Sequence, residues 1–204
     1  MQINIDKKSG IFLIIIVALL AVIMGMGMSR NGDHGSSGMH EMMESDEKQG
    51  TITLSGADVM FLQMMIPHHQ QAVDISNLAL AKSKDSELIA LATNIRDEQK
   101  SEITQMKLWL SQANADLDMG HSMGDSMGGM LTEVELNDLD AATGTEFDLL
   151  WLKGMTNHHD GALHMTTMIK DASNVDIKLF GENVVTAQTA QNKQMNLMIT
   201  RLSK

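Results

Sequence analysis

The sequence predicts an all-α protein whose main domain is a four-helix bundle built from a duplicated helical hairpin. Four long segments carry apolar residues at the three-to-four spacing of amphipathic helices. No segment alternates apolar and polar residues for long enough to indicate a strand. The pattern of the first two long segments recurs in the last two. Two hairpins that bury their apolar stripes against each other form such a bundle.

The first hairpin is predicted to contain two long helices. The first helix runs from about Gly56 to Lys82, and Pro67 in its interior removes one backbone hydrogen bond and is expected to kink the axis. The second helix runs from about Ser86 to Ala113, after a cap at Asp85 or Ser86. The charged run from Arg96 to Lys100 is interpreted as a solvated face of this helix.

The second hairpin follows a short helix predicted from Leu131 to Ala142. Thr145 is the candidate cap of the third long helix, which is expected to reach about Ala172. Asn174 is the candidate cap of the fourth long helix.

The two hairpins share chemically distinctive residues in the same order. The first helix carries Asp58-x-x-Phe61-Leu62-x-x-Met65-x-x-His68-His69-x-x-Ala72, and the third carries Asp148-x-x-Trp151-Leu152-x-x-Met155-x-x-His158-His159-x-x-Ala162. In the helices that follow them, Gln99-x5-Gln105-Met106 is matched by Gln188-x5-Gln194-Met195. We expect Gln99 and Gln188 to point inward and to hydrogen-bond each other or the histidines.

Composition and charge restrict the possible functions. The 204-residue chain has a formal net charge of −11 with 15 Lys and Arg, so it lacks the basic surface that neutralises phosphates. Nucleic acid is therefore excluded as a partner. The chain has no cysteine, so any soft-metal chemistry depends on thioether and imidazole groups. Its 20 methionines are too many for gap-filling in one core.

The predicted organisation has three parts. Residues 1–28 form a membrane anchor, because Lys7-Lys8 precede an apolar run from Ile11 to Met28 without an Ala-x-Ala-like cleavage site. The positive-inside rule places the rest of the chain outside the cytoplasm, held to the cytoplasmic membrane by residues 11–28. A cleaved signal peptide is the alternative and gives the same compartment. Residues 29–54 are a flexible Met/His/Gly linker, and residues 55–204 form the metal-binding domain with a Met-rich loop at 114–131.

Several methionines lie where no core is expected. The linker carries His34, Met39, His40 and Met42, and the loop places four further methionines between Gly, Ser and Asp residues. Exposed thioethers add little folding stability and are prone to oxidation, so their abundance favours a role in collecting a soft cation. The alternative is a low-complexity linker that happens to be rich in methionine.

The strongest candidate metal ligands are the repeated Met-x-x-His-His sets. On a helix, Met65 precedes His68 and His69 by three and four residues, so the three side chains emerge from one surface. Thioether and imidazole ligands select Cu(I) over hard cations. Metal affinity is expected to fall when the histidines protonate, near their ordinary pKa of about 6.5. The alternative is that one histidine of each pair is a hydrogen-bonded core residue, and at least one of each pair should point away from the other.

The second set extends further along its helix. It consists of Met155, His158 and His159, and the candidate ligands His164, Met165 and Met168 follow. Asp74 aligns with His164 in the first copy and is either an acceptor that orients an imidazole or a surface acid. Whether the two sets form one site or two stays open.

These motifs resemble a known family. Met65-Ile66-Pro67-His68-His69-Gln70-Gln71-Ala72-Val73 and Met155-x-x-His158-His159-x-Gly161-Ala162 are similar to the bacterial CopM-like copper-binding proteins, long catalogued as a domain of unknown function. The resemblance covers about residues 55 to 203. It implies a ferritin-like bundle in the periplasm, or held outside the cytoplasmic membrane, that binds Cu(I) and also Ag(I). It further implies a copper chaperone or buffer that contributes to copper resistance, with a copper-exporting or copper-accepting protein as partner. Because Asn157 replaces the proline in the second copy, that set is expected to bind more weakly if the kink matters.

Two other classes of function stay open. A metal-dependent enzyme is disfavoured, because di-iron bundles use Glu-x-x-His motifs and none occurs in the four long helices. A copper oxidase would require both histidine pairs to converge. A structural or partner-docking bundle would use the methionines as an adaptable surface. We expect a metal-binding protein that is not an enzyme.

Overall fold

The computed structural model describes residues 52–119 and 128–204. Within these residues the chain forms five α-helices and no strand, which confirms the predicted all-α class. The helices are α1 (Gly56–Lys82), α2 (Ser86–Gln112), α3 (Glu133–Ala141), α4 (Gly144–Thr166) and α5 (Val175–Leu202). None of these helices is long and apolar enough to span a membrane. The predicted anchor and most of the predicted linker lie outside the described residues.

Side-chain caps fix where most of these helices begin. Ser55 and Asp58 form a capping box at the start of α1, and Thr132 and Glu135 form another at the start of α3. Asp85 accepts hydrogen bonds from the first-turn amides of α2, as predicted. The predicted Asn174 cap of α5 is confirmed in the same way. Helix α1 continues without interruption through Pro67.

Two predicted boundaries of α4 are wrong. The helix begins at Gly144 with Thr143 as its N-cap, because Gly144 adopts a φ of 58° that turns the chain directly from α3 into α4. Thr145 therefore lies inside the first turn. The helix ends at Thr166 rather than near residue 172, because the hydroxyls of Thr166 and Thr167 donate to the carbonyls of Leu163 and His164 and compete with the helical pattern.

The four long helices pack as two hairpins. Helix α1 packs on α2, α4 packs on α5, and the hairpins meet where α1 packs on α4. The Trp151 indole N–H donates to the carbonyl of Ile75 at 3.0 Å and joins the two hairpins. The start of α1 packs beside the end of α4 and the end of α1 beside the start of α4, so these two helices are antiparallel.

Two apolar cores lie at opposite ends of the helices. The Phe61 core consists of Phe61, Leu62, Met65, Val73, Ile103, Met106, Leu110, Ala162, Met165, Ile169, Ile177, Phe180 and Val184. The Trp151 core consists of Ala72, Ile75, Ala79, Leu88, Leu91, Ala92, Ile95, Leu131, Leu139, Ala142, Phe147, Trp151, Leu152, Met155, Met195 and Met198. Each long helix passes from one core to the other, and the buried residues between the cores are polar.

Candidate functional site

A buried polar layer separates the two apolar cores. It contains one histidine pair from α1, one from α4, and one glutamine from each of α2 and α5. The members of this central polar layer are His68, His69, Gln99, His158, His159 and Gln188, all of which are buried. Both apolar cores exclude water from the layer, so its polar groups depend on one another for hydrogen bonds.

One histidine of each pair meets at the contact between the hairpins. The imidazole rings of His68 and His158 have centroids 3.7 Å apart and planes tilted by 36°. Nε2 of His158 lies 3.0 Å from the backbone carbonyl oxygen of His68. The antiparallel packing of α1 and α4 thus brings together two residues that are 90 positions apart in the chain.

The other histidine of each pair turns toward the second helix of its own hairpin. The ring centroids of His69 and His159 lie 6.3 and 6.4 Å from those of His68 and His158, as expected for side chains that diverge. Nε2 of His69 lies 2.8 Å from a carboxylate oxygen of Glu102 on α2. Nε2 of His159 lies 2.7 Å from the side-chain carbonyl oxygen of Gln191 on α5.

A second carboxylate joins the layer through Gln191. The side-chain amide of Gln191 donates to a carboxylate oxygen of Glu98 at 2.8 Å, which links α5 to α2. Burial, followed by repulsion from Glu102, raises the pKa of Glu98 to about 7. The interpretation of residues 96–100 as a solvated face is therefore wrong for Glu98. Its spacing from Glu102 places both carboxylates on one side of α2, which is the signal that the sequence offered for them.

Many polar atoms of the layer have no hydrogen-bond partner among the described residues. They include both ring nitrogens of His68 and the Nδ1 atoms of His69, His158 and His159. The side chain of Gln99 and the carbonyl oxygen of Gln188 are also without a partner in this part of the chain. Gln99 thus bonds neither Gln188 nor a histidine, contrary to expectation. Unsatisfied buried lone pairs in such number are unusual in a layer that serves only packing.

Burial keeps three of the four imidazoles neutral. Burial, followed by electrostatic repulsion from His69, lowers the pKa of His68 to about 3, and burial lowers the pKa of His159 to about 4. Burial lowers the pKa of His158 well below 6.5. The backbone of Gly128 acts in the opposite direction and raises the pKa of His68, although it makes no hydrogen bond of ordinary geometry to that ring. Because neutral imidazole is the metal-binding form, proton competition at these three residues begins well below pH 6.5 rather than near it.

The two methionines of the repeated motif flank the layer from opposite sides. Met65 is fully buried in the Phe61 core and Met155 is fully buried in the Trp151 core. Met65 precedes His68 by three residues and Met155 precedes His158 by three residues, which is about 4.5 Å along the helix axis. The antiparallel helices therefore place one thioether above and one below the His68–His158 pair.

The structure separates the other predicted ligands from this layer. Met165 is buried in the Phe61 core, whereas His164 is exposed. Met168 is half-buried and follows the end of α4. Asp74 is exposed and accepts from the Gln70 amide, so it is a surface acid and not a partner of an imidazole. The predicted ligands His34, Met39, His40 and Met42, and the middle of the Met-rich loop, lie outside the described residues.

The last residues of the Met-rich loop, 128–131, contact α1 and α4. The Gln71 side chain donates to the carbonyl of Leu131 at 2.9 Å and accepts from its amide at 2.7 Å. A Cβ atom on Gly161 would lie 1.8 Å from the Gly128 carbonyl oxygen, so the loop backbone directly contacts α4. Gly129 has a φ of 87°, which glycine adopts without strain. The glycine within the His158-His159-x-Gly motif is therefore a contact point for the loop.

The donor set also limits which metals fit. Within residues 52–119 and 128–204, no three His, Asp or Glu side chains are grouped closely enough to hold a metal ion together. The layer contains the close imidazole pair of His68 and His158, and each histidine has a methionine one helical turn before it. An ion that accepts few, soft ligands fits this set better than one that needs several oxygen or nitrogen donors.

The fold and site define a class of all-α proteins in which two similar hairpins enclose a buried histidine layer. The chain belongs to the family described as Domain of unknown function (DUF305), whose model matches residues 58–199. No curated protein matches the chain. The prediction that the chain belongs to a family catalogued as a domain of unknown function is confirmed.

Several solved structures resemble the chain over most of its described part. A DUF305 protein from Streptomyces coelicolor, described as secreted, is 27% identical with a TM-score of 0.68 over 72% of this chain and 94% of that chain. A DUF305 fragment from Deinococcus radiodurans is 26% identical with a TM-score of 0.68 over 74% of this chain and 99% of that chain. CopM in the Cu(II)-bound form is 31% identical with a TM-score of 0.63 over 71% of this chain and 96% of that chain. CopM structures in Cu(I)-bound and Ag-bound forms also match.

Proposed function

We propose that this chain binds Cu(I), and also Ag(I), outside the cytoplasm and acts as a copper chaperone or buffer rather than as an enzyme. The observation that carries the proposal is the close pair of buried, neutral imidazoles of His68 and His158, three of whose four ring nitrogens have no hydrogen-bond partner among the described residues, with one methionine in the apolar core on either side. Burying such groups costs free energy unless something partners them. A bound soft cation supplies that partner.

The chemistry of the donors favours a monovalent soft ion. Thioethers and imidazoles are the soft and borderline ligands in the layer, and Cu(I) prefers them to carboxylates. A metal bound to both His68 and His158 requires the two stacked rings to rotate so that their planes meet at the ion, since lone pairs lie in the ring planes. Met65 and Met155 can then complete the coordination from either side.

The comparisons support the choice of metal. CopM, a member of similar fold, has been solved with Cu(I), Cu(II) and Ag bound. The DUF305 protein of Streptomyces coelicolor is described as secreted, which agrees with the export predicted from the N-terminal run. We propose a ferritin-like four-helix bundle at residues 55–204, tethered by residues 11–28 and exchanging copper with an exporting or accepting protein.

The test uses the full-length chain purified in detergent. Cu(I) is titrated under anaerobic conditions against a competing chelator, and Ag(I) in parallel. The double variant His68→Gln/His158→Gln is expected to lose tight binding, whereas the exposed-histidine control His164→Gln should keep it. Met65→Leu/Met155→Leu conserves volume and is expected to weaken binding without unfolding the bundle.

Two outcomes would contradict the proposal. Undiminished Cu(I) affinity in the double histidine variant would move the site to methionines outside the described residues. Absence of tight binding in the unsubstituted chain would favour a structural or docking role for the bundle.

A further inference from the structure

Three of the four buried histidines bond through the same ring nitrogen to atoms that can only accept. Nε2 of His69 faces a carboxylate oxygen, Nε2 of His158 faces a backbone carbonyl oxygen, and Nε2 of His159 faces an amide carbonyl oxygen. An acceptor-only partner requires a donor, so Nε2 carries the hydrogen in all three. An imidazole in its neutral form carries one N–H, so Nδ1 is then left with a bare lone pair.

The remaining ring nitrogens agree with this assignment. Nδ1 of His69, His158 and His159 is buried and has no hydrogen-bond partner among the described residues. An Nδ1–H group in that position would leave a buried hydrogen-bond donor without an acceptor, which is unfavourable. A bare lone pair at Nδ1 can instead be satisfied by a cation.

The orientation of Gln191 is itself fixed. Its amide nitrogen donates to the Glu98 carboxylate at 2.8 Å, so its carbonyl oxygen is the atom turned toward His159. Glu98 thus determines, through Gln191, which nitrogen of His159 carries the hydrogen. The arrangement holds when Glu98 is ionised and therefore a pure acceptor.

The duplicated hairpin keeps this role at one structural position. Glu102 follows Gln99 by three residues on α2, and Gln191 follows Gln188 by three residues on α5. Glu102 and Gln191 differ in charge, but each presents a side-chain oxygen to the second histidine of the pair in its own hairpin, His69 or His159. Both hairpins have a hydrogen-bond acceptor at this position, but only one of the two acceptors is a carboxylate. The shared property is therefore that the side chain accepts a hydrogen bond from Nε2 of the histidine.

We infer that the neutral forms of His69, His158 and His159 carry the ring hydrogen on Nε2 and keep Nδ1 as the atom available to a metal, and that Glu102, Gln191 and Glu98 are positioning residues that hold this tautomer. The ligand assignment rests on the proposed function, whereas the tautomers do not. Partners of this kind orient an imidazole and raise its affinity for a metal. The carboxylate of Glu102 raises the affinity of His69 for a metal more than the neutral amide of Gln191 does for His159. The two hairpins therefore differ in metal affinity at this position.

The tautomers can be measured in the metal-free protein. The full-length chain, labelled with ¹⁵N-histidine, is studied by long-range ¹H–¹⁵N NMR at about pH 8.5, above the pKa of about 7 of Glu98. We expect Nε2–H with bare Nδ1 at His69, His158 and His159, assigned by single His→Gln variants. Nδ1–H at any of the three in the unsubstituted chain would overturn the inference for that histidine.

Variants then test the positioning role. Gln191→Leu removes the acceptor and is expected to mix the tautomers of His159 and to weaken Ag(I) binding by roughly 10- to 100-fold. Gln191→Glu keeps an acceptor oxygen and should retain the tautomer. The control Gln194→Leu, one turn further along α5 beside Glu87 and Arg201, should change neither property. An unchanged His159 tautomer in Gln191→Leu would show that Gln191 does not position the ring.

Silver distinguishes failure of this inference from failure of the proposed function. Natural silver isotopes have spin one-half, so a bound Ag(I) ion splits the resonance of the nitrogen that it contacts. Splitting at Nδ1 supports the ligand assignment, and splitting at Nε2 overturns it while the proposed function stands. If no Ag(I) binds, the proposed function and the ligand assignment fall, and the metal-free spectrum still decides the positioning role.

Discussion

Acidification should destabilise this protein well before its carboxylates are fully protonated. His68 and His159 have pKa values lowered by burial to about 3 and about 4, and the pKa of His158 is lowered well below 6.5. In the unfolded chain all three histidines titrate near 6.5. Below pH 6.5 the unfolded state therefore binds more protons than the folded state, so the stability that is fully present above 6.5 is lost as the pH falls.

The magnitude follows from the width of this interval. Between about pH 6.5 and pH 4.5, His68 and His159 each lose about 2 kcal/mol of their contribution to folding, so the two together lose about 4 kcal/mol, and His158 adds to the loss in the same direction. Glu98 acts in the opposite direction, because its raised pKa of about 7 makes the folded state bind a proton first. That offsets about 2 kcal/mol over the same interval. The net loss from His68, His159 and Glu98 is about 2 kcal/mol, and His158 increases it, so the loss is a large fraction of the stability of a typical domain.

The assay is urea unfolding of the metal-free chain at several pH values between about 7.5 and 4.5, with a chelator present. Fluorescence of Trp151, which is fully buried, and of the half-buried Trp109 reports on the described domain. His159→Gln should reduce the loss of stability between about pH 6.5 and 4.5 by about 2 kcal/mol, whereas His164→Gln should leave it unchanged because that side chain is exposed. A free energy of unfolding that stays constant or rises down to pH 4.5 would refute the reasoning.

Three further predictions follow from packing and charge. Gly161→Ala should destabilise the fold by about 1–3 kcal/mol in urea unfolding, since its Cβ would lie 1.8 Å from the Gly128 carbonyl oxygen. Gly56→Ala, with nothing within 4 Å, is the control and should not destabilise. Trp151→Phe should cost about 1 kcal/mol by removing the hydrogen bond to Ile75, and an unchanged midpoint would contradict that role. Ag(I) affinity, measured by competition, should change little between about pH 7.5 and 5.5, and a steep fall near pH 6.5 would contradict the burial of the neutral imidazoles.

Local patterns were sufficient for most of the fold. The start of α1 at Gly56, the Asp85 cap and the Asn174 cap are all encoded within a few residues, because capping is a local interaction. The end of α4 was harder to predict. Apolar periodicity continues to Ile169, which is buried, while the backbone has already left the helix at Thr166. The periodicity of apolar residues shows which side chains are buried. In the turn after Thr166, Ile169 is buried although the backbone is no longer helical.

The candidate site was predictable in part. Spacing alone placed Met65 and the histidine pair on one surface of α1, and the repeat did the same on α4. It could not show that Glu98 is half-buried and bonded to Gln191, since a charged residue beside Arg96 and Asp97 is typical of an exposed face. Nor could it show that His164 is exposed and separate from the central polar layer.

The sequence by itself determined the helices, the two Met-x-x-His-His sets and the choice of thioether and imidazole as soft-metal donors in a chain without cysteine. Those properties depend on residue type and on the 3.6-residue period, which are local. Only the tertiary structure decided that His68 meets His158, and that Met65 and Met155 lie on opposite sides of the pair. It also decided that Nε2 of the outer histidines is engaged, which leaves Nδ1 bare. These facts depend on the antiparallel register of α1 and α4 and on burial between two apolar cores, and both are set by packing between segments far apart in the chain.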